Sequence, residues 1–211
     1  LHRSGHSFPT RRSSDLKGLA AAEDIFSQLD ETPEKNEGTY SADKINGEIQ
    51  FSNVNFSYQA LEAKNTLEDI NLTIERGETV AFVGKSGAGK TTLMSLLPRF
   101  YGDYEGEIKI DGISISDYEI TNLRSHIALV SQNVTLFNDT IANNISYGSS
   151  SNNLEQIKEA AKQANANSFI ELMADGYETV VGDDGVLLSG GQRQRIAIAR
   201  ALYKNPSLLI L

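Results

Sequence analysis

Residues 84–91 read Gly84-Lys85-Ser86-Gly87-Ala88-Gly89-Lys90-Thr91, which satisfies G-x-x-x-x-G-K-[ST] at every fixed position. This pattern constrains the fold because it works only as a turn between a buried strand and a helix. The flanks agree. Thr79–Val83 is a continuous apolar run that predicts a buried strand, and Thr91–Leu97 predicts a helix that Pro98 helps to end. The glycines let the backbone turn tightly, so that successive N–H groups point at phosphate oxygens. The positive end of the following helix faces the same anion. Lys90 supplies a mobile charge for the β- and γ-phosphates, and the Thr91 hydroxyl can ligate Mg²⁺.

The remaining segments surround this loop with a recognisable order. Leu19, Ala22, Ile25, Phe26 and Leu29 fall at helical spacing within 17–30, and the polar stretch 31–46 reads as a linker. Gly47–Tyr58 alternates apolar and polar residues and predicts a strand, as does Leu67–Ile74. Asp111-Gly112 inside Glu107–Ile115 is a strong hairpin signal. Ile127–Val130 predicts a further buried strand. From about residue 133 the pattern becomes helical, with Leu154, Ile157, Ala160, Ala161 and Ala164 on one face and Phe169, Leu172 and Met173 extending the apolar supply. The expected fold is α/β: a P-loop core, an antiparallel β annex and a helical subdomain over about 133–202.

Composition removes several function classes. There is no cysteine, which excludes disulfides and thiolate metal sites. The formal charge of −9 argues against a general nucleic-acid surface. No run of 18 or more apolar residues exists, so none of this sequence predicts a membrane span. Residues 1–16 (LHRSGHSFPTRRSSDL) are basic and aperiodic and resemble the translation of a sequencing-adapter oligonucleotide, so they are expected to be non-native. At the other end Ser207–Leu211 reads as a buried strand, and the expectation is an incomplete domain.

A second motif lies at Leu188-Ser189-Gly190-Gly191-Gln192-Arg193-Gln194-Arg195. Ser189 and Gln192 have the spacing of a capping box, and an apolar helix follows through Leu202. Two glycines are a costly choice for a first helical turn unless something approaches the backbone closely. LSGGQ after a P-loop resembles the signature of the ATP-binding cassette (ABC) ATPases. The resemblance covers about residues 17–211 and is strongest to the lipid A exporters of the MsbA type. It is carried by GLAAAEDIF (18–26), NVNFSY (53–58), the P-loop, RFYGDYEGEIKIDG (99–112), LVSQNVTLFNDTIANNI (129–145) and VLLSGGQRQRIAIARAL (186–202).

The resemblance implies an ATP site. Tyr58 takes the position that stacks on adenine. Gly84, Lys85, Ser86, Gly87, Ala88, Gly89, Lys90, Thr91 and Thr92 hold the phosphates. Gln132 contacts Mg²⁺ and the attacking water, so Thr91 and Gln132 are the metal ligands. Ser189, Gly190, Gly191 and Gln192 contact, in trans, the ATP held by a second identical cassette in a head-to-tail dimer. Residues 17–46 become the helix and linker leaving the last transmembrane helix, and 47–211 the ATP-binding domain, incomplete at its C-terminus.

The expected partners are therefore a second cassette, the transmembrane domain of the same polypeptide and a lipid cargo, with no nucleic acid. The expected location is the cytoplasmic face of the inner membrane. Two features depart from the family pattern. In Thr179–Gly185 (TVVGDDG), Val180 and Asp184 replace the Glu and Arg of the exporter loop, while Asp183 keeps an acid. Leu208–Leu211 matches the apolar half of the Walker B strand, but its two acids and the later switch histidine are not in the sequence. The one histidine outside 1–16, His126, precedes Gln132 and reads as structural. No hydrolytic site is therefore complete here. A multidrug or peptide exporter, a soluble ABC ATPase, a P-loop kinase and a cassette that binds without hydrolysing are the alternatives.

Overall fold

The structure, a computed structural model, describes residues 10–31, 33–58, 65–149 and 152–211. Residues 1–9 of the basic N-terminal segment and Thr32 of the linker lie outside it. The chain divides into two units, residues 1–36 and 37–211. In the first, helix α1 runs Thr10–Leu29. It begins earlier than the spacing predicts, because a helix once nucleated propagates through polar residues such as Arg11 and Arg12 without needing an apolar stripe.

The second unit opens with an antiparallel sheet. Strands β1 (Ile49–Phe56) and β2 (Leu67–Ile74) pair with each other, and β1 also pairs with β3 (Glu105–Ile110), which turns into β4 (Ile113–Ser114); the order is β2-β1-β3-β4. Strand β1 buries Ile49 and Phe51, then Val54 and Phe56. The inward alternation slips by one at Asn53, whose φ of 49° marks a bulge. The bulge is stitched by polar groups. Asn53 Nδ2 donates to Asp69 Oδ1 at 2.9 Å, and the Asp69 amide donates to Asn55 Oδ1 at 2.8 Å. Asp111 (φ 51°) and Gly112 (φ 80°) form the β3–β4 turn that the Asp-Gly pair predicts.

Between β2 and β3 lies helix α2 (Lys90–Leu96). Then follow α3 (Ile120–Ser125), β5 (Ile127–Leu129), α4 (Ile141–Ser146), α5 (Leu154–Gln163), α6 (Asn167–Ile170), α7 (Gly190–Tyr203) and β6 (Leu208–Ile210). Strands β5 and β6 pair in parallel, with Ala128 opposite Leu209. Val54, Leu96, Ile108, Ile110 and Leu123 centre one core beneath the annex. Ile141, Ile145, Ala161, Ile170, Ile196 and Ala199 centre another in the helical subdomain. Where β5 meets α7, the buried contact is a small cluster of Ala128, Val130, Ala197 and Ala201.

Three expectations are corrected. Thr79–Val83 is not a strand, and Val83 is 91% exposed. An apolar run is only a composition; a strand also needs an edge to pair with, and among the described residues no strand pairs with this one. The terminal run is a strand over 208–210 but is not fully buried, since Leu209 and Leu211 are exposed, Ile210 is buried in the core and Leu208 packs against it half-buried. Leu172 is exposed rather than part of the apolar supply, while Phe169 and Met173 pack against the helical core. His126 is structural as expected: it caps α3, and its Nε2 lies 3.0 Å from the Ala42 carbonyl oxygen.

Candidate nucleotide-binding site

The glycine-rich loop keeps the strain that its sequence allows. Gly87 and Gly89 both sit at φ 80°. Gly89 is the residue before α2, and a Cβ there would lie 2.7 Å from Leu67 Cδ2 and 3.0 Å from the Thr66 carbonyl oxygen. Glycine is favoured for both reasons, since the left-handed backbone strains a residue with a Cβ and the Leu67 side chain and Thr66 carbonyl would have to give way. At Gly87 an added Cβ would meet nothing within 4 Å, so that turn faces open space. Lys90 Nζ folds back and donates to the carbonyl oxygens of Gly84 and Lys85, each at 3.0 Å. The ammonium is thus held over the loop, beside backbone that can turn its N–H groups to an anion. Thr91, in the first turn of α2, is exposed, while Thr92 is buried.

Tyr58 and this loop come together, which neither segment alone predicts. The Tyr58 hydroxyl lies 2.7 Å from Thr92 Oγ1, yet 53% of the residue stays exposed. The ring meets Phe56 and Tyr101 in T-shaped contacts, with centroids 5.0 and 5.2 Å apart. An exposed aromatic face therefore stands beside a phosphate-type loop, an arrangement able to hold a flat base and its phosphates together.

Among the described residues no hydrogen bond joins the other expected residues to the phosphate loop. Gln132 is exposed just after β5. Ser189 and Gln192 form the predicted capping box at the start of α7: the Ser189 amide donates to Gln192 Oε1 at 2.8 Å, and the Gln192 amide to Ser189 Oγ at 3.3 Å. Among the described residues neither bonds to the phosphate loop. An added Cβ at Gly190 or Gly191 would meet nothing within 4 Å. The space that these glycines keep clear faces outward, not toward their own chain.

The segment after Gln132 is tied to α7 by one guanidinium. Arg200 Nε donates to the Asn144 carbonyl oxygen at 2.8 Å, Nη1 to the Thr135 carbonyl oxygen at 3.1 Å and Nη2 to Asn144 Oδ1 at 3.0 Å. It also lies 5.8 Å from the Phe137 ring centroid and 5.7 Å from that of Tyr147, two rings stacked 4.2 Å apart. Burial draws the Arg200 pKa down, but every bond it makes favours the cation. Asp139 is held below the usual carboxylate range first by the Asn143 side-chain amide and then by the Thr140 backbone N–H. The loop 179–185 lies against the same segment: the Ile141 amide donates to the Thr179 carbonyl oxygen at 3.0 Å, and the Val181 amide to the Asp139 carbonyl oxygen at 3.1 Å.

Sequence reasoning missed Tyr101, Arg200 and Asn144. The last two had a signal, since each is a polar residue interrupting an apolar helical face.

Mg²⁺ fits the donor set in one specific sense. Among the described residues no cluster of three His, Asp or Glu could hold a metal by itself. Magnesium bound with nucleotide needs only one or two protein oxygens, the phosphates and water supplying the rest, and Thr91 and Gln132 are exposed oxygen donors.

A family profile described as ABC transporter matches residues 67–211. The chain is 52% identical over 196 residues to the "ATP-dependent lipid A-core flippase" of Hahella chejuensis, covering 92% of this chain and 33% of that protein. It is 49% identical over 209 residues to the protein of the same description in Pseudomonas aeruginosa, covering 96% of this chain and 34% of that protein. A solved structure titled "Structure of a bacterial Atm1-family ABC exporter with ATP bound" superimposes with a TM-score of 0.80 at 39% identity, over 92% of this chain and 34% of that one. The chain thus spans about a third of the length of the relatives it matches.

Proposed function

This chain belongs to the ABC transporter family, and from that premise we propose that it is the ATP-binding cassette of an exporter that moves lipid A or a related lipid, with ATP hydrolysed in the complete assembly. The observation that carries this reading is the junction of Tyr58 with the helix that the phosphate loop begins, an exposed aromatic ring whose hydroxyl lies 2.7 Å from Thr92 Oγ1, beside a lysine folded over the loop. The lipid cargo is supported by the descriptions of the two curated relatives and by nothing in the cassette itself.

In this reading Tyr58 stacks on the adenine, and the loop amides of Gly84–Thr92 donate to the phosphate oxygens. Lys90 gives up its bonds to Gly84 and Lys85 for the β- and γ-phosphate oxygens, an exchange of neutral acceptors for charged ones that favours binding. Thr91 and Gln132 hold Mg²⁺, which when bound neutralises charge on the phosphates. Water attacks the γ-phosphorus in line with the leaving oxygen, Gln132 orients that water, and Lys90 stabilises the charge that develops. Ser189, Gly190 and Gly191 of a second cassette close on the γ-phosphate, using the outward clearance at the two glycines. The transmembrane domain of the same polypeptide is the expected partner, at the cytoplasmic face of the inner membrane. Among the described residues no helix is long and apolar enough to cross a membrane.

The test is a titration of Mg-ATP into the Lys90→Ala protein beside the unaltered one. Binding should be abolished or greatly weakened, and an unchanged affinity would overturn the assignment. Cargo is tested on the full-length transporter in liposomes: lipid A should raise its ATPase rate, whereas stimulation by peptides or cationic drugs alone would favour the multidrug alternative.

A further inference from the structure

We propose that Tyr101 is a positioning residue for nucleotide recognition: its ring sets the plane in which Tyr58 presents its face to the base. The proposal rests on the reading that Tyr58 stacks on adenine.

Tyr58 is half exposed and is restrained from three directions. Its hydroxyl meets Thr92 Oγ1 at 2.7 Å. Its ring stands at 82° to Phe56 and at 85° to Tyr101, and Phe56 and Tyr101 close the triangle with centroids 5.4 Å apart. The hydroxyl contact alone is a single point, about which the ring can still turn. Two rings meeting it at near right angles remove that rotation. Stacking on a base requires one ring plane, so a side chain already held in that plane loses less freedom on binding.

The three restraints come from different parts of the fold. Phe56 ends β1, two residues before Tyr58. Thr92 is in the helix that the phosphate loop begins, and Tyr101 follows the C-terminal end of the same helix. The segment bearing Tyr101 is firmly held. Arg124 Nε donates to the Pro98 carbonyl oxygen at 2.8 Å, and Nη2 to the Arg99 carbonyl oxygen at 3.1 Å. The Arg124 guanidinium also covers the Phe100 ring at 5.3 Å. Tyr101 therefore follows directly on a segment pinned by Arg124, just beyond the helix that carries the phosphate-binding lysine. It references the base-stacking ring to the phosphate site.

The experiment compares Mg-ATP with inorganic tripolyphosphate and Mg²⁺ by calorimetric titration. The proteins are the unaltered one, Tyr101→Leu, Tyr101→Phe and Tyr58→Leu. Tripolyphosphate reads the loop alone, and the ratio of the two affinities reads the base. Tyr101→Leu should weaken ATP by about threefold to tenfold, the size of an aromatic pair, and leave tripolyphosphate unchanged. Tyr101→Phe, which keeps the ring, should restore ATP affinity. Should the leucine variant not fold, Tyr101→Met carries the same expectation.

If Tyr101→Leu leaves the ratio as it was while Tyr58→Leu lowers it, Tyr101 has no positioning role. Equal weakening of both ligands by Tyr101→Leu would make it a support of the loop and also overturn the proposal. A ratio unmoved by Tyr58→Leu would instead remove the stacking reading, and this proposal with it.

Discussion

Arg200 and Asn144 are joined twice: Nη2 of the arginine donates to Oδ1 of the asparagine at 3.0 Å, and Nε donates to its backbone carbonyl at 2.8 Å. Asn144 is almost wholly buried and spends its own amide on the Phe137 and Thr140 carbonyl oxygens, each at 3.0 Å. Two chain segments far apart in sequence are thereby fastened at one polar node inside an otherwise apolar subdomain. Removing either partner leaves buried groups unsatisfied. Arg200→Ala is expected to cost about 2–3 kcal/mol of stability, read from chemical denaturation. Asn144→Ala should cost a similar amount. The double variant should cost less than the two together, and strictly additive losses would show that the node is not a unit.

Two glycines that look alike in sequence should respond in opposite ways. Gly89→Ala places a Cβ in a left-handed turn and against Leu67, so the folded chain should lose at least about 1–2 kcal/mol and bind nucleotide less well. Gly190→Ala meets nothing within its own chain and adds a better helix former, so thermal stability should hold or rise by up to about 1 kcal/mol. If a second cassette uses that space as proposed, the same Gly190 change in the full-length protein should lower ATPase activity. Undiminished activity would sink the in-trans role of the signature residues.

The Ser189 cap separates local from functional effects. Ser189→Ala removes the acceptor for the Gln192 amide and should cost about 1 kcal/mol. Ser189→Asp restores the cap but adds charge, so stability should return while the proposed nucleotide-driven dimerisation should not. Light scattering with and without ATP makes the distinction.

Alkaline pH should unfold the protein through two tyrosines. Burial pushes both Tyr118 and Tyr177 up from 10.0 to about 12, and their hydroxyls donate to the Ile110 carbonyl oxygen and to Asn167 Oδ1. Because the folded value lies above the unfolded one, their contribution is complete below pH 10. It fades as pH rises toward about 12. Denaturation midpoints measured across this window should fall, and less steeply in Tyr118→Phe. A parallel fall in both proteins would exclude Tyr118 as a cause.

Much of this was legible in advance where a local rule is strict. The Asp111-Gly112 turn, the Ser189–Gln192 box and the loop glycines each follow from backbone geometry that few residues satisfy. What escaped depends on distant partners. The slip at Asn53 needs Asp69 and Asn71 on the neighbouring strand, and those residues read only as ordinary polar positions. Val83 has the composition of a core residue, but its burial depends on a paired edge that periodicity does not specify. Tyr101 looked like one more residue of a motif-bearing stretch until the fold set its ring against that of Tyr58.

The small cluster between β5 and α7 has a mechanical consequence. Ala128, Val130, Ala197 and Ala201 present little relief, and only the partly buried Val134 and Ile198 add longer side chains to the contact. Resistance to sliding is shared with the polar pins along the seam. These are Arg200, on the segment around Asn144, and Lys204, whose ammonium grips the Arg124 and Ile127 carbonyl oxygens at 2.6 Å. The seam is smooth and bolted rather than toothed. Those hydrogen bonds set much of its stiffness, while α7 is also keyed into the helical core by Ile196 and Ala199, so loosening one bond would soften the seam without freeing the signature helix.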